Sequence, residues 1–299
     1  MVDASELSWR MFARRYNVHL TYTPMIHAGM FLKDKTYRKS CLQFCNEDRP
    51  LIAQFCANTP ELFIKAAEVL EPFCDAVDLN LGCPQGIAKR GHYGAFLQDE
   101  WDLLKEMVSQ ASKQLKVPVT CKIRIFSDVE RTVAYAKMLQ DAGASLLTVH
   151  GRTREMKGPL TGLADWTQIK RIKEELRIPI IANGNIEYFE DVTRCFLETK
   201  ADAVMSAEGH LHNPAIFVGL QPSVYTKCLE YLEYAKKYPS AMSIVRGHVF
   251  KLCHHALNEH PNFRHHICVA QSVDELRDGL KALEDACSSC SKNRDASIP

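Results

Sequence analysis

Short apolar segments alternate with amphipathic segments along the first two thirds of the chain. Runs such as AVDLNL (76–81) and IPIIAN (178–183) are apolar on both faces, which is typical of parallel strands covered by helices. The segments between them carry apolar residues at helical spacing, and Thr59-Pro60 gives one helix an N-cap and a first residue. The pattern predicts strands at 19–25, 51–55, 76–81, 117–123, 145–150, 178–183 and 202–207. It predicts helices at 5–16, 35–45, from 60 onward, 99–116, 129–142, 165–176 and 187–199.

This alternation favours a (β/α) barrel over a doubly wound sheet. No hairpin signal separates the strands, and no G-x-G-x-x-G follows the first one. Polar residues cluster where strands end, as they do at the carboxyl face of a TIM barrel, where active sites lie. The chain of 299 residues has room for one barrel of about 250 residues and a small appendage. The strand-end groups are Gln54, Asn80, Lys122, His150, Asn183 and Ala207-Glu208-Gly209.

The strand pattern stops at Pro222, and the rest of the chain is helical. Helices are predicted at 225–238, 242–257 and 273–286, followed by a polar tail. We therefore predict a barrel domain at 1–221, a small helical domain at 222–290 and a disordered tail at 291–299.

Composition excludes several classes of protein. The formal net charge is +1, so any nucleic-acid contact must come from a local basic patch. The 12 cysteines are irregularly spaced and many lie in apolar runs, which indicates a reduced intracellular protein. No run approaches the length of a membrane span, and the N-terminus lacks a signal-peptide core. We expect a monomer that does not bind membranes and is located in the cytoplasm or nucleus.

One cysteine has a setting that suits chemistry. Cys83 lies between Gly82 and Pro84 in a polar loop that leaves a strand, where a thiol can act as a proton donor or a nucleophile. A buried structural thiol is the ordinary alternative for any one of 12 cysteines. Asn80 is able to hydrogen-bond to a ligand through its amide, or simply to close the turn.

The block DLNLGCPQGIAKRGHYGAFL (78–97) closely resembles the catalytic loop of tRNA-dihydrouridine synthases. Five other segments resemble the same family in order and spacing, up to about residue 220. The run KRGHYGAFLQDEWDLL and the AEG in place of G-R-G resemble the eukaryotic type that modifies tRNA positions 16 and 17. The further segments are QFCAN (54–58), CKIR (121–124), VHGRTREMKGPL (149–160), ANGNI (182–186) and MSAEGHLHNP (205–214).

The resemblance implies an FMN-dependent reduction of the uracil C5–C6 bond, with NADPH as reductant. It implies that hydride reaches C6 from reduced flavin and that Cys83 protonates C5. Asn80 is implied to contact the flipped uracil, which must leave its stack to reach the barrel. The implied cofactor contacts are Gln54, Lys122, His150, Asn183, Gly184, Asn185, Ala207, Glu208 and Gly209, the last six as a phosphate site made of helix N-termini and glycine loops.

Basic residues in loops at the carboxyl face of the predicted barrel are candidate tRNA contacts. The alternative for any one of them is an ordinary charge exposed to solvent. We place them in loops, and they are Lys89, Arg90, Arg124, Arg152, Arg154 and Lys157. Glu208 stands where the wider family has arginine and is unable to neutralise phosphate. The helical domain holds many cysteines and histidines, but their spacing matches no standard zinc site, so we predict no metal. In the resembled family this region grips tRNA, and Lys251 and Arg264 suit that role.

The chain departs from the family at its start. Met1-Val2-Asp3 followed by SELSWRMFARRY matches the segment that follows the first barrel strand, so we expect that strand to be absent. Such a barrel has two open edges and weaker flavin binding. Thr23-Pro24-Met25 belongs to the next strand. Two other functions remain open: a non-catalytic tRNA-binding remnant, and another FMN barrel oxidoreductase that acts on a free pyrimidine.

Overall fold

The computed structural model describes residues 4–289, which form two compact units. Residues 19–207 make the first unit, and residues 4–18 together with 208–289 make the second. The N-terminal helix α1 (Leu7–Arg15) therefore belongs to the second unit. The predicted domain boundary at residue 221 and the tail at 291–299 stay predictions, and the tail lies outside the described residues.

The first unit is a parallel sheet whose strands are followed by helices, the architecture of a (β/α) barrel. The sheet order is β1-β3-β4-β5-β6-β7-β8, and β2 also pairs with β3. The described ladders run from β1 to β8, and within residues 4–289 no ladder joins these two. The strands are β1 (Thr21–Tyr22), β2 (Ile26–His27), β3 (Leu51–Cys56), β4 (Ala76–Leu81), β5 (Val119–Arg124), β6 (Leu146–His150), β7 (Ile180–Asn183) and β8 (Ala203–Met205).

Of the first predicted strand, 19–25, only residues 21–22 form a strand, and a second short strand follows at 26–27. β1 and β2 both run parallel to β3, in registers that place Tyr22 beside Ile52 and Ile26 beside Phe55. The register shifts by one residue between them, because the chain advances four residues from Tyr22 to Ile26 while β3 advances three from Ile52 to Phe55. With the two pieces taken as one position, residues 4–289 contain seven strand positions, where a complete barrel has eight.

Helices cover the first unit, and their ends follow simple capping rules. The hydroxyl of Thr59 accepts from the Leu62 amide with Pro60 in the first turn, as predicted. Asp128 and Asp165 cap two later helices in the same way. The helices are α2 (Ala28–Lys33), α3 (Lys35–Cys41), α4 (Pro60–Leu70), α5 (Gly86–Gly91), α6 (Trp101–Gln114), α7 (Val129–Asp141), α8 (Trp166–Glu175) and α9 (Phe189–Thr199).

The second unit is helical and has its own apolar core. Trp9 and Phe12 of α1 pack with Tyr231 and other buried side chains of this unit. The predicted helix 242–257 is divided at Cys253 into two helices. No helix within residues 4–289 is both long and apolar enough to cross a membrane. The helices are α10 (Glu208–His212), α11 (Val224–Lys237), α12 (Met242–Leu252), α13 (His254–Glu259), α14 (Arg264–Val269) and α15 (Val273–Ser289).

Candidate active site at the carboxyl edge of the sheet

The parallel register brings the predicted strand-end residues to one edge of the sheet. Asn80 of β4 lies beside Lys122 of β5, and His150 of β6 lies beside Asn183 of β7. Gln54 lies near the end of β3, beside Asp78. The carboxyl edge of a barrel sheet is where this fold places its chemistry, so five of the predicted residues share one location.

Cys83 is held in a tight loop directly after β4. Asn80 Oδ1 accepts from the amides of Gly82 and Cys83 at 3.1 and 3.0 Å, so Asn80 closes the turn. The Cys83 carbonyl accepts from the Ala95 amide at 3.1 Å. Gly94 has φ +66°, and a Cβ there would lie 2.8 Å from the Cys83 carbonyl oxygen, so this position requires glycine. The thiol itself is half-buried, which leaves it accessible to a substrate.

Three polar side chains that are buried in the sheet support this loop from below. Asp78 is fully buried and accepts from Thr120 Oγ1 at 2.6 Å and from Gln54 Nε2 at 2.9 Å. Gln54 Oε1 in turn accepts from Asn80 Nδ2 at 3.0 Å. Gln54 is therefore bonded to protein groups at both ends of its amide.

Lys122 is the cation at the centre of this edge. Its ammonium donates to Asn183 Oδ1 at 3.0 Å. Burial and, to a lesser extent, the charge of Arg124 lower the pKa of Lys122 to about 8, against the opposing effect of Asp78 and Cys83. The side chain is still largely protonated at pH 7 and presents a positive charge where an anion or an electron-rich ring would be stabilised.

His150 is neutral at every physiological pH. Burial and the charges of Lys122, Arg124 and Arg152 lower its pKa to about 2. Its Nε2 lies 3.1 Å from Arg152 Nη1. Because guanidinium groups only donate, Nε2 is the acceptor and the ring proton resides on Nδ1. His150 therefore offers a ligand a neutral donor and not a charge.

The Asn183-Gly184-Asn185 segment ends strand β7 and bends into a loop. It does not open a helix, contrary to our prediction that helix N-termini form this part of the phosphate site. Helix α9 begins only at Phe189, because the intervening residues continue the loop. Gly184 has φ +113°, and a Cβ there would lie 3.0 Å from His150 Cδ2, so the loop packs closely on the imidazole. Asn185 has φ +57° and accepts from Arg152 Nη2. A side chain at Gly184 would clash with Ala164 and with the imidazole of His150.

The second predicted phosphate segment begins a helix, as the sequence indicates. Glu208 is the first residue of α10, and its carboxylate pairs with Lys251 and lies 3.9 Å from His212 Nε2. Gly209 is buried and Ala207 is half-buried. The carboxylate of Glu208 is thus engaged by a cation of its own unit. Contacts of these residues with a cofactor stay predictions.

The predicted rim of loop cations needs correction, because the sequence does not show which cations are already bonded. Lys89 and Arg90 lie on helix α5, not in a loop, and are exposed. Arg124 is the last residue of β5 and is buried, where its guanidinium donates to the carbonyls of Gly82, Thr153 and Met156 at 2.8, 2.6 and 3.1 Å. It therefore braces two loops.

The other three cations of this set also have protein partners. Arg152 donates to the Gly162 carbonyl, and Lys157 donates to the Pro84 carbonyl at 2.7 Å. Arg154 pairs with Asp99 at 2.9 Å and with Glu155. The predicted phosphate contacts of Arg152, Arg154 and Lys157 would have to compete with these bonds.

The cysteines and histidines of the second unit do not form a metal site. Across residues 4–289, no three His, Cys, Asp or Glu side chains are placed to share a metal ion. Cys228 Sγ and Cys253 Sγ lie 3.3 Å apart as free thiols. Cys290 lies outside the described residues.

Sequence reasoning missed Asp78, Thr120 and Gly94 as parts of this site. A signal existed for the first two, because each is an isolated polar residue inside an apolar strand and must be satisfied by a partner. Gly94 carried no comparable signal, since its close approach to Cys83 exists only in three dimensions.

Parallel strands with covering helices and a polar carboxyl edge define a (β/α)-barrel enzyme scaffold. The solved complex of 2-naphthoyl-CoA reductase with 2-naphthoyl-CoA superposes with a TM-score of 0.53, covering 72% of this chain and 46% of that one. The identity is 11%, so the likeness concerns the fold alone.

The family model for dihydrouridine synthase (Dus) matches residues 1–296, and the chain belongs to this family. The chain is 52% identical over 289 residues to the mouse (Mus musculus) tRNA-dihydrouridine(16/17) synthase [NAD(P)(+)]-like protein, covering 96% of this chain and 61% of that protein. It is 50% identical over 280 residues to the Saccharomyces cerevisiae tRNA-dihydrouridine(16/17) synthase [NAD(P)(+)], covering 88% and 66%.

A human protein named for other tRNA positions is more distant. The tRNA-dihydrouridine(20a/20b) synthase [NAD(P)+]-like protein of Homo sapiens is 39% identical over 232 residues, covering 77% of this chain and 72% of that protein. These matches confirm the family resemblance that the sequence block at 78–97 indicates. The chain spans just under two thirds of the length of the mouse and yeast 16/17 relatives.

Proposed function

We propose that the chain is a tRNA-dihydrouridine synthase of the 16/17 type. It reduces the C5–C6 double bond of D-loop uridines, with FMN as cofactor, NADPH as reductant and Cys83 as proton donor. The observation that carries the proposal is the Cys83 loop, which Asn80 and Gly94 fix at the carboxyl edge of the sheet. Relatives at 50–52% identity bear names of the same activity.

The residues at the sheet edge suit a flavin with a phosphate tail. Lys122 supplies a cation and His150 a neutral ring, while Gly184 leaves bare backbone against that ring. We propose that Gln54, Lys122 and His150 hold the flavin ring and that Asn183, Gly184 and Asn185 contribute to its phosphate site. Ala207, which follows β8, is proposed to extend that site, and the cofactor contacts of Glu208 and Gly209 stay predictions from the sequence. When bound, reduced FMN supplies the hydride that adds to uracil C6.

The protein's own groups complete the addition. Cys83 gives its thiol proton to C5, on a base that has left its stack to reach the sheet edge. General acid catalysis of this kind contributes about 10²–10⁴ in rate. Lys122 and Arg124 both interact electrostatically with Cys83.

Recognition of tRNA is proposed to use exposed cations near this loop. Lys89 and Arg90 lie on α5, which begins three residues after Cys83, and both are exposed. Their charges suit phosphate contacts, whose strength falls as salt rises. The monomeric state and the cytoplasmic or nuclear location remain expectations from sequence.

The test of this proposal measures FMN binding first and dihydrouridine formation second. The visible spectrum of the purified chain with added FMN shows whether the cofactor binds. Dihydrouridine in unmodified tRNA incubated with NADPH is then quantified by mass spectrometry. We expect a bound-flavin spectrum in both the wild type and Cys83→Ala, with product only in the wild type. Bound tRNA without product in the wild type would instead support the non-catalytic reading, and turnover of free dihydroorotate would support the free-pyrimidine reading.

A further inference from the structure

We propose that Asp78 is a positioning residue whose carboxylate, through Gln54 and Asn80, sets the orientation of the loop that carries Cys83. The inference rests on the proposed function for the chemistry of Cys83. The positioning itself rests on hydrogen bonds within the first unit. Asp78 has 0% exposure and therefore acts on the site only through other side chains.

A continuous series of hydrogen bonds runs from the interior of the sheet to the loop that carries Cys83. Thr120 Oγ1 and Gln54 Nε2 donate to the two oxygens of Asp78 at 2.6 and 2.9 Å. Asn80 Nδ2 donates to Gln54 Oε1 at 3.0 Å. Finally, the amides of Gly82 and Cys83 donate to Asn80 Oδ1 at 3.1 and 3.0 Å.

The donor-to-acceptor direction of this series of hydrogen bonds is fixed by the groups at its two ends. An ionised carboxylate only accepts, so Gln54 must turn its NH₂ toward Asp78 and its oxygen toward Asn80. Asn80 must then turn its NH₂ toward Gln54, which leaves its oxygen facing the loop. Backbone amides only donate, so the loop end requires the same orientation. One buried acceptor thus orients two amide side chains.

The ionisation of Asp78 is what makes it acceptor-only. Burial raises its pKa to about 6, while hydrogen bonds from Thr120 and Gln54 and the charge of Lys122 oppose the rise. The other titratable groups that face it, Tyr22 and Cys121, have pKa values raised by burial and by Asp78 and are neutral at pH 7. Below about pH 6 the protonated acid becomes able to donate, and the fixed direction is lost.

The decisive measurement is hydrogen exchange at the amides of Gly82 and Cys83, resolved by fragmentation mass spectrometry in the full chain. In Asp78→Asn, the new amide is able to donate to Gln54, which allows the side-chain amides of Gln54 and Asn80 to turn over. We therefore expect hydrogen exchange at the amides of Gly82 and Cys83 to rise at least ten-fold. Asp102→Asn, at a fully exposed carboxylate, is the matched control and should leave both unchanged. Wild-type exchange rates at Gly82 and Cys83 in folded Asp78→Asn would overturn the proposal.

A second variant separates positioning from a merely structural role. Thr120→Val removes a hydrogen bond that lowers the pKa of Asp78, so protection of Gly82 and Cys83 should be lost at a higher pH than in the wild type. Thr120→Ser restores the hydroxyl and should restore the wild-type profile. If either variant instead accelerates exchange along all of β4 and β5 with no change in pH profile, Asp78 only stabilises the sheet.

Activity provides an independent readout. Where the wild type forms dihydrouridine, Asp78→Asn should lower kcat at least ten-fold while KM for tRNA stays within two-fold, because Asp78 does not touch tRNA. A wild type that forms no dihydrouridine would contradict the proposed function. The exchange result would then still decide whether Asp78 positions the loop.

Discussion

The ammonium of Lys122 donates to Asn183 Oδ1 at 3.0 Å, which joins the ends of β5 and β7 across the intervening strand β6. Asn183 also connects to the next strand, because its Nδ2 donates to the Met205 carbonyl of β8 at 2.9 Å. The cation is thereby fixed at the centre of the carboxyl edge. A charge held in this way is oriented before any ligand arrives, which is how electrostatic stabilisation in enzymes is organised.

The buried position of Lys122 predicts a measurable dependence of stability on pH. Its folded pKa, about 8, is below its unfolded value, so the unfolded state binds more protons and the contribution of Lys122 to stability rises with pH. Between pH 7 and 9 we expect the wild type to gain about 1 kcal/mol relative to Lys122→Met. Denaturant titrations of both proteins without FMN measure this difference. Parallel pH profiles for the two proteins would show that the shift is absent.

The lowered pKa of His150 predicts how the free energy of unfolding changes at acid pH. Its pKa is lowered to about 2, so protonation on unfolding opposes folding as pH falls below the unfolded value of about 6.5. His150→Gln removes this proton uptake. We expect the variant to gain about 2 kcal/mol relative to the wild type between pH 7.5 and pH 4.5, measured by denaturant unfolding. A constant difference across this range would mean that the imidazole titrates normally in the folded protein.

Much of the fold was predictable because burial dictates the strand pattern. The strand at 76–81 and the Thr59-Pro60 helix start are found as predicted, since both depend on local sequence. The strand at 19–25 is shortened to Thr21–Tyr22, because the register against β3 shifts by one residue before β2 begins, and the apolar pattern gives no sign of that shift.

The candidate site was less predictable where partners are distant in sequence. Arg124 reads as a free cation, yet it bonds to carbonyls 29 and 32 residues away. Asp78 reads as one polar residue in a strand, yet its partners Gln54 and Thr120 belong to the neighbouring strands β3 and β5. The residue types were evident from the sequence, but the pairing among them required the sheet register.

Two glycines with left-handed backbones offer a matched test of the Cys83 loop. Gly94 and Gly158 have φ values of +66° and +55°, so alanine is strained at both. Only at Gly94 would the new Cβ meet the Cys83 backbone, at 2.8 Å from its carbonyl oxygen, whereas at Gly158 it meets nothing within 4 Å. We expect Gly94→Ala to lower dihydrouridine formation at least ten-fold with FMN still bound, and Gly158→Ala to lose about 1 kcal/mol of stability and little activity. Equal activities in the two variants would mean that the loop tolerates displacement.

A buried pair in the second unit supports the last prediction. Glu6 Oε2 lies 2.8 Å from His248 Nε2, both side chains are almost fully buried, and Trp9 stacks on the imidazole at 4.2 Å. Ser8 and Tyr231 donate to the other oxygen of Glu6 at 2.8 and 3.1 Å. Burial favours a raised pKa for Glu6, but the hydrogen bond and charge of His248, with the Ser8 hydroxyl, outweigh it and hold the pKa below its usual range.

Removing this carboxylate should therefore weaken the second unit strongly at neutral pH and less in acid. Glu6→Gln removes a buried carboxylate that accepts from Ser8 and Tyr231 and lies against His248, and disrupting such a buried group costs about 1–3 kcal/mol. Because the folded pKa of Glu6 is lowered, its contribution is fully present above the unfolded value of about 4.3 and is lost as pH falls below it. Chemical unfolding at pH 7 and pH 3.5, with exposed Glu259→Gln as control, measures both effects. A Glu6→Gln penalty that is equal at the two pH values would show that the carboxylate charge contributes nothing.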